Sequence, residues 1–194
     1  PRLGVPPPRS AVVDGAPGRG GAVFTLAELG ERGWSWVHQG GAECGRIMGG
    51  AAVHLGVRDG LEIVLIDSIR PHSAVILSRL DVGMRMDMAT SAAGRAYLAA
   101  LEGPPREALL DTTRRTPGAD WSSVSARLGA AMQEYAQRGY CSSFGDWHRD
   151  IHALGTTLAG PRGELYVVTC GGPGYLLPRE MMVDKIAPRM METV

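Results

Sequence analysis

The chain has 194 residues, with 20 Lys+Arg against 20 Asp+Glu and a formal net charge of zero. That length suits one domain with a full core, or one domain with a short appendage. The charge balance excludes bulk electrostatic attraction to nucleic acid or to a membrane surface, and no apolar run approaches the length of a membrane span. Hydrophobic residues make up 44% of the chain and charged residues 21%, so a packed core can be assembled. Cys44, Cys141 and Cys170 are odd in number and scattered, which builds neither a disulfide framework nor a zinc site. A reducing cytoplasm is the expected compartment, and no leader sequence is recognisable at the front. Pro1 is not a natural start, so a fragment or a processed form is expected.

Residues 1–22 are rich in Pro, Gly and Arg and predict a loosely ordered arm. Ala22-Val23-Phe24-Thr25-Leu26 predicts a short strand, and a helix starts near Trp34 and Trp36. Val53, Leu55 and Val57 alternate with His54 and Gly56, the period of a strand. Arg58-Asp59-Gly60 is a hairpin turn, and Leu61 to Ile66 is a nearly continuous apolar strand. After Arg70-Pro71-His72-Ser73, Ala74 to Leu77 predicts a third strand. Links this short imply antiparallel pairing.

Asp81 to Met88 reads as a loop whose Met84, Met86 and Met88 either fill the core or line a pocket. Thr90-Ser91 caps a slim helix, rich in alanine, that runs to about Leu101. The amides at its start have no partner within the helix and carry partial positive charge, so a carboxylate placed there would be held. Pro104-Pro105 starts a short helix. Asp120 caps a longer one, with Val124, Leu128, Ala131, Met132 and Tyr135 on one stripe, and Arg138-Gly139 closes it.

Tyr140 to Pro173 reads as strand, irregular loop, strand, tight turn, strand. Leu165 to Cys170 is apolar on both faces, which predicts a central strand. The loop Gly145 to Asp150, crowded with charge and aromatic side chains between buried strands, is a candidate wall for a small-molecule pocket. Pro178 starts a last helix with Met182, Ile186 and Met190 on one face, and Pro188 should bend or split it. Strands then helices then strands predict an α+β fold, a GAF-like antiparallel sheet flanked by helices.

Two segments resemble a known family. Gly83-Met84-Arg85-Met86-Asp87-Met88-Ala89-Thr90-Ser91-Ala92-Ala93-Gly94-Arg95-Ala96-Tyr97-Leu98-Ala99 is similar to a pattern G-x-R-L-P-L-H-A-T-A-x-G-[KR]-A-x-L-A. Arg138-Gly139-Tyr140, a variable loop, and Gly160 to Pro173 resemble a second. Both belong to the C-terminal effector-binding domain of IclR-type transcriptional regulators, and the resemblance runs from about Ala52 to Val194. It implies a regulator that takes a small organic or aromatic acid and needs no cofactor. It also implies a homodimer or homotetramer, with a winged helix-turn-helix in front that binds operator DNA. The resemblance places a truncated or partly missing winged-helix and linker segment at residues 1–36 and the effector-binding domain at 37–194. The loop Gly145 to Asp150 and the helix from Trp34 are the expected coupling elements.

Carried over position by position, the resemblance implies a ligand site at Met86, Ser91, Ala92, Ala93, Ser143, Ile151, Ala153, Thr169 and Gly171. Asp87 stands where the family has proline, Ala89 where it has histidine, and His152 where it has arginine. With polar groups lost, the pocket is expected to be larger and less polar than one for a two-carbon acid. The alternative from another class is a small-molecule hydrolase or metal-dependent enzyme using Cys141, His148 and His152. Against it, the loop around His148 lacks helical periodicity and no local motif activates either thiol. No catalytic residue and no metal ligand is therefore assigned.

Overall fold

The computed structural model describes residues 51–69, 80–115, 121–160 and 163–193. The expected arm, the front strand and helix, the strand at Ala74 to Leu77 and the Asp120 cap lie outside the described residues.

β1 (Ala52–Asp59) and β2 (Glu62–Ile69) form the first hairpin, closing at the Asp59–Glu62 pair. Gly60 there has φ 62°, a conformation that glycine takes without a Cβ clash. β3 (Arg85–Asp87) adds to the edge of β2. Three helices follow: α1 (Ala92–Ala100), α2 (Gly103–Arg114) and α3 (Trp121–Arg138). β4 (Cys141–Phe144), β5 (Ile151–Ala159) and β6 (Leu165–Pro173) complete one sheet in the order β3-β2-β1-β6-β5-β4, antiparallel throughout. β6 sits at the centre and is buried almost end to end, as its two apolar faces predict.

The expected loop at Asp81 to Met88 therefore contains a strand. Arg85 and Asp87 are exposed while Met86 is buried, and three residues are too few for that alternation to stand out in the sequence.

The sheet divides two cores. One face carries Ile63, Leu65 and Val167 under Ala93 and Leu98 of α1, Leu109 of α2 and Leu128 of α3. The other carries Val53, Leu55, Leu154, Tyr166 and Val168 against the C-terminal helical segment. That segment is α4 (Arg179–Met181), a π-helical turn at Met182–Ile186, and α5 (Ala187–Thr193). The Ala187 N–H reaches back five residues to the Met182 carbonyl, and this wider turn lies just ahead of Pro188. A proline ring crowds the preceding turn and supplies no N–H, so the split expected at Pro188 takes the form of a π bulge. Met182, Ile186 and Met190 all remain buried.

α1 is held close to the sheet by glycine. A Cβ on Gly155 of β5 would meet the Ala92 carbonyl oxygen at 2.5 Å and the Ala93 nitrogen at 3.0 Å. No such atom exists, so the first turn of α1 rests directly on the sheet. α3 ends at Gly139, with φ 79° and its N–H on the Tyr135 carbonyl at 2.8 Å.

Candidate functional site

The start of α1 is built locally. Asp87 Oδ1 accepts from the amides of Ala89 (2.9 Å) and Thr90 (2.8 Å) and from the Thr90 hydroxyl (2.8 Å). Its carbonyl accepts from the Ser91 hydroxyl at 2.6 Å. Ser91 Oγ in turn accepts from the Gly94 amide at 3.0 Å and caps the helix. The aspartate that departs from the family pattern thus shapes the turn that aims α1.

The cavity beneath that turn brings together all nine residues singled out in the sequence. Met86 comes from β3, Ser91, Ala92 and Ala93 from the start of α1, and Ser143 from β4. Ile151 and Ala153 come from β5, and Thr169 and Gly171 from β6; His54, Leu80 and Trp147 complete the lining. The space is about 20 Å³, room for about one water. It is smaller than expected from the lost polar groups, because His54, Leu80 and the Trp147 indole occupy the volume. Ser91 and Ser143 also have protein partners, the latter donating to the Thr90 carbonyl at 2.9 Å.

Two roomier spaces are less suited to capture. A groove of about 520 Å³ between α3 and β4 and another of about 550 Å³ beside the β1–β2 turn are open. Several of their charges are paired with one another: Arg127 with Asp146, and Arg85 with Asp59 and Glu62. Hydrogen bonds to a ligand gain most where water is excluded, which favours the enclosed space.

The loop between β4 and β5 closes the cavity with Trp147, whose ring stands edge-on to His148 at 4.2 Å. Asp146 anchors this loop. Its Oδ2 lies 2.7 Å from Arg95 Nη1, and its Oδ1 lies 2.8 Å from Arg127 Nη1. Arg95 is 2% exposed and also donates to the carbonyls of Ala89 and Ser142 at 2.9 Å each. One buried guanidinium therefore ties the α1 turn, β4 and the loop together.

The enzyme alternative lacks its geometry. Cys141 is fully buried, its Sγ lies 3.2 Å from the Ala131 carbonyl, and burial pushes the thiol well above the usual range. His152 lies at the far end of β4 from Cys141, opposite Phe144, with its Nδ1 on the Leu177 carbonyl at 2.8 Å. Among the described residues no group of three or more His, Cys, Asp or Glu could hold a metal ion.

Three residues of the cavity were not foreseen: His54, Leu80 and Trp147. Trp147 carried a signal, an aromatic in a charged loop. His54 carried one only in its alternation with Val53 and Leu55.

A GAF-like antiparallel sheet with an enclosed cavity under a helix N-terminus defines an effector-binding module. Residues 46–190 match the model of the bacterial transcriptional regulator IclR C-terminal domain. The chain belongs to the IclR family, whose members are transcriptional regulators rather than enzymes. It is 29% identical over 148 residues to the HTH-type transcriptional regulator TsaQ1/TsaQ2 of Comamonas testosteroni, covering 75% of this chain and 53% of that protein. An IclR family transcriptional regulator from Brucella abortus shares 31% identity and a TM-score of 0.75, over 82% of this chain and 59% of the other. The inducer-binding domain of a PobR double mutant from Acinetobacter, in complex with 3-hydroxybenzoic acid, has the same fold. It matches with a TM-score of 0.63 at 17% identity, over 86% of this chain and 95% of that one. The chain thus spans little more than half the length of the TsaQ and Brucella relatives. Among the described residues no helix is long and apolar enough to cross a membrane.

Proposed function

We propose that the domain captures a small organic acid in the cavity under α1, with the carboxylate against the amides of Ala92 and Ala93. The acid then biases DNA binding by a winged helix-turn-helix in the parent protein. The observation that carries this reading is the convergence of Met86, Ser91, Ala92, Ala93, Ser143, Ile151, Ala153, Thr169 and Gly171 on one enclosed space. Four strands and a helix N-terminus contribute, and the helix end supplies positive potential without a fixed cation.

The acid we favour is bulkier than a two-carbon one and carries a ring. The fold supports this, since the PobR domain holds a hydroxybenzoate. A ring requires Trp147 to swing out with its loop, the one wall made from a surface connection. Residues 1–36 belong, in this reading, to the DNA-binding and linker region. The regulator works as a homodimer or homotetramer on operator DNA in the cytoplasm. Ligand shifts the DNA-binding equilibrium only by its difference in affinity between two states, and the Gly145 to Asp150 loop carries that difference.

Calorimetry with glyoxylate, pyruvate, benzoate and 3-hydroxybenzoate tests the site, and operator release by the full-length protein tests the output. Ring acids are expected to bind and to change operator affinity. Tight binding of the small keto acids with failure of the ring acids would refute the size assignment. Turnover of any bound acid would refute the sensor.

A further inference from the structure

His54 lies in the middle of the sheet, 1% exposed, on the face that carries the cavity. The register makes its surroundings unusual. His54 pairs with Thr169 of β6 on one side and with Ser68 of β2 on the other. Thr169 pairs in turn with Gly155, the glycine on which the first turn of α1 rests. Paired residues point to the same face of an antiparallel sheet, so Ser68, His54 and Thr169 form a polar row leading to the start of α1. The rest of this face is Ile63, Leu65, Val167 and Met86.

An imidazole in an apolar core is a costly choice. Packing alone would be met by an aliphatic side chain of similar size. Among the described residues the buried Ser68 hydroxyl has no hydrogen-bond partner either. The row is therefore poorly explained as core and well explained as one end of a binding cavity.

We infer that His54 is a specificity-determining residue, reading a second polar group at the end of the ligand remote from its carboxylate. Neighbouring strands lie roughly 4.8 Å apart, so His54 stands about 10 Å across the sheet from the strand beneath the helix start. A two-carbon acid held at Ala92 and Ala93 cannot reach across that span. The ligand class is a carboxylic acid with a hydroxyl or carbonyl at the far end of an extended or cyclic skeleton. The imidazole meets either group, because one ring nitrogen donates and the other accepts. Thr169, beside it in register, supplies a second hydroxyl on the same wall.

This inference rests on the acid-binding reading above, and paired probes separate the two. Calorimetry compares butyrate with 4-hydroxybutyrate, and benzoate with its three monohydroxy derivatives, on the wild type, His54→Leu and His54→Gln. The wild type is expected to prefer a hydroxylated member by about tenfold or more, the worth of one buried hydrogen bond. His54→Leu should bring the pair within about twofold while keeping affinity for the unsubstituted acid, and His54→Gln, still able to hydrogen-bond, should restore part of the preference. A purely structural role would weaken both members equally. Binding of acids with no preference in the wild type, or with the preference intact in both variants, overturns the role of His54 and leaves the acid site standing. If the wild type binds none of the probes, the acid-binding reading fails and this inference fails with it. Should His54→Leu not fold, His54→Gln against the wild type decides alone: an unchanged preference supports hydrogen bonding, and equal weakening of both members overturns it.

Discussion

Arg95 Nη1 lies 2.7 Å from Asp146 Oδ2, joining the second turn of α1 to the loop that carries Trp147. The two residues are 51 positions apart in the chain, and the arginine end is buried. Breaking a buried pair from one side strands the other charge, so Arg95→Ala should destabilise the domain by about 3–5 kcal/mol. Arg127 holds the other oxygen of the same carboxylate from an exposed position, and Arg127→Ala should cost no more than about 1 kcal/mol. Asp146→Asn keeps the shape and weakens both contacts. Hydrogen exchange over residues 144–151 should quicken in Asp146→Asn, with little change in the strands β1 and β6. Unchanged exchange there would mean that the loop is held by Trp147 packing and not by the ion pairs.

Gly155→Ala tests how α1 is seated. The added methyl would meet the Ala92 carbonyl oxygen at 2.5 Å, and backbone cannot turn aside as a side chain can. The helix start must lift or the strand must bend, at about 1–3 kcal/mol. Thermal unfolding should show this loss, and acid binding should weaken further because the Ala92 and Ala93 amides are displaced. Full affinity in a stable Gly155→Ala protein would remove the helix start from the site.

Much of this arrangement was legible because it is local. The Ser91 cap and the glycine stop at Gly139 depend on residues within one turn. The central place of β6 follows from its two apolar faces. The nine-residue site was legible through the family pattern alone, since no local rule brings Met86 and Gly171 together. His54 was hidden by the same alternation that revealed β1. A polar residue between Val53 and Leu55 normally faces water, but here α1, α2 and α3 cover that face. Arg95 looked like a surface cation on a helix because its partner comes from a distant loop. The size of the cavity was illegible for a related reason: it depends on how deeply Trp147 folds inward.

Asp87 should matter more than an exposed turn residue usually does. Its carboxylate collects the amides of Ala89 and Thr90 and the Thr90 hydroxyl, and so fixes the entry to α1. Asp87→Ala should cost about 1–2 kcal/mol, the range of a lost helix cap. Asp87→Pro, the residue that the resemblant family carries, should retain more of the stability and the acid affinity than alanine does. Equal losses in the two variants, read by urea unfolding and calorimetry, would show that the carboxylate itself is needed.

The Cys141 thiol gives a pH prediction with a definite sign. Burial raises its pKa above the ordinary value, and the nearby Glu134 adds to the rise. The native state therefore favours the protonated thiol, and thiolate is the form that alkylates. Native protein treated with iodoacetamide at pH 8–9 should modify Cys141 at least about a hundredfold more slowly than protein unfolded in urea, with peptide mapping to read residue 141 by itself. The same shift is linked to stability. A raised folded-state pKa contributes in full below the unfolded thiol value of about 8.5 and is lost progressively as pH climbs above it. The urea midpoint of the wild type should fall from pH 8 to pH 10, and Cys141→Ala, lower at the start, should fall less. Rapid alkylation of native Cys141 at pH 8 would contradict both its burial and its exclusion as a nucleophile.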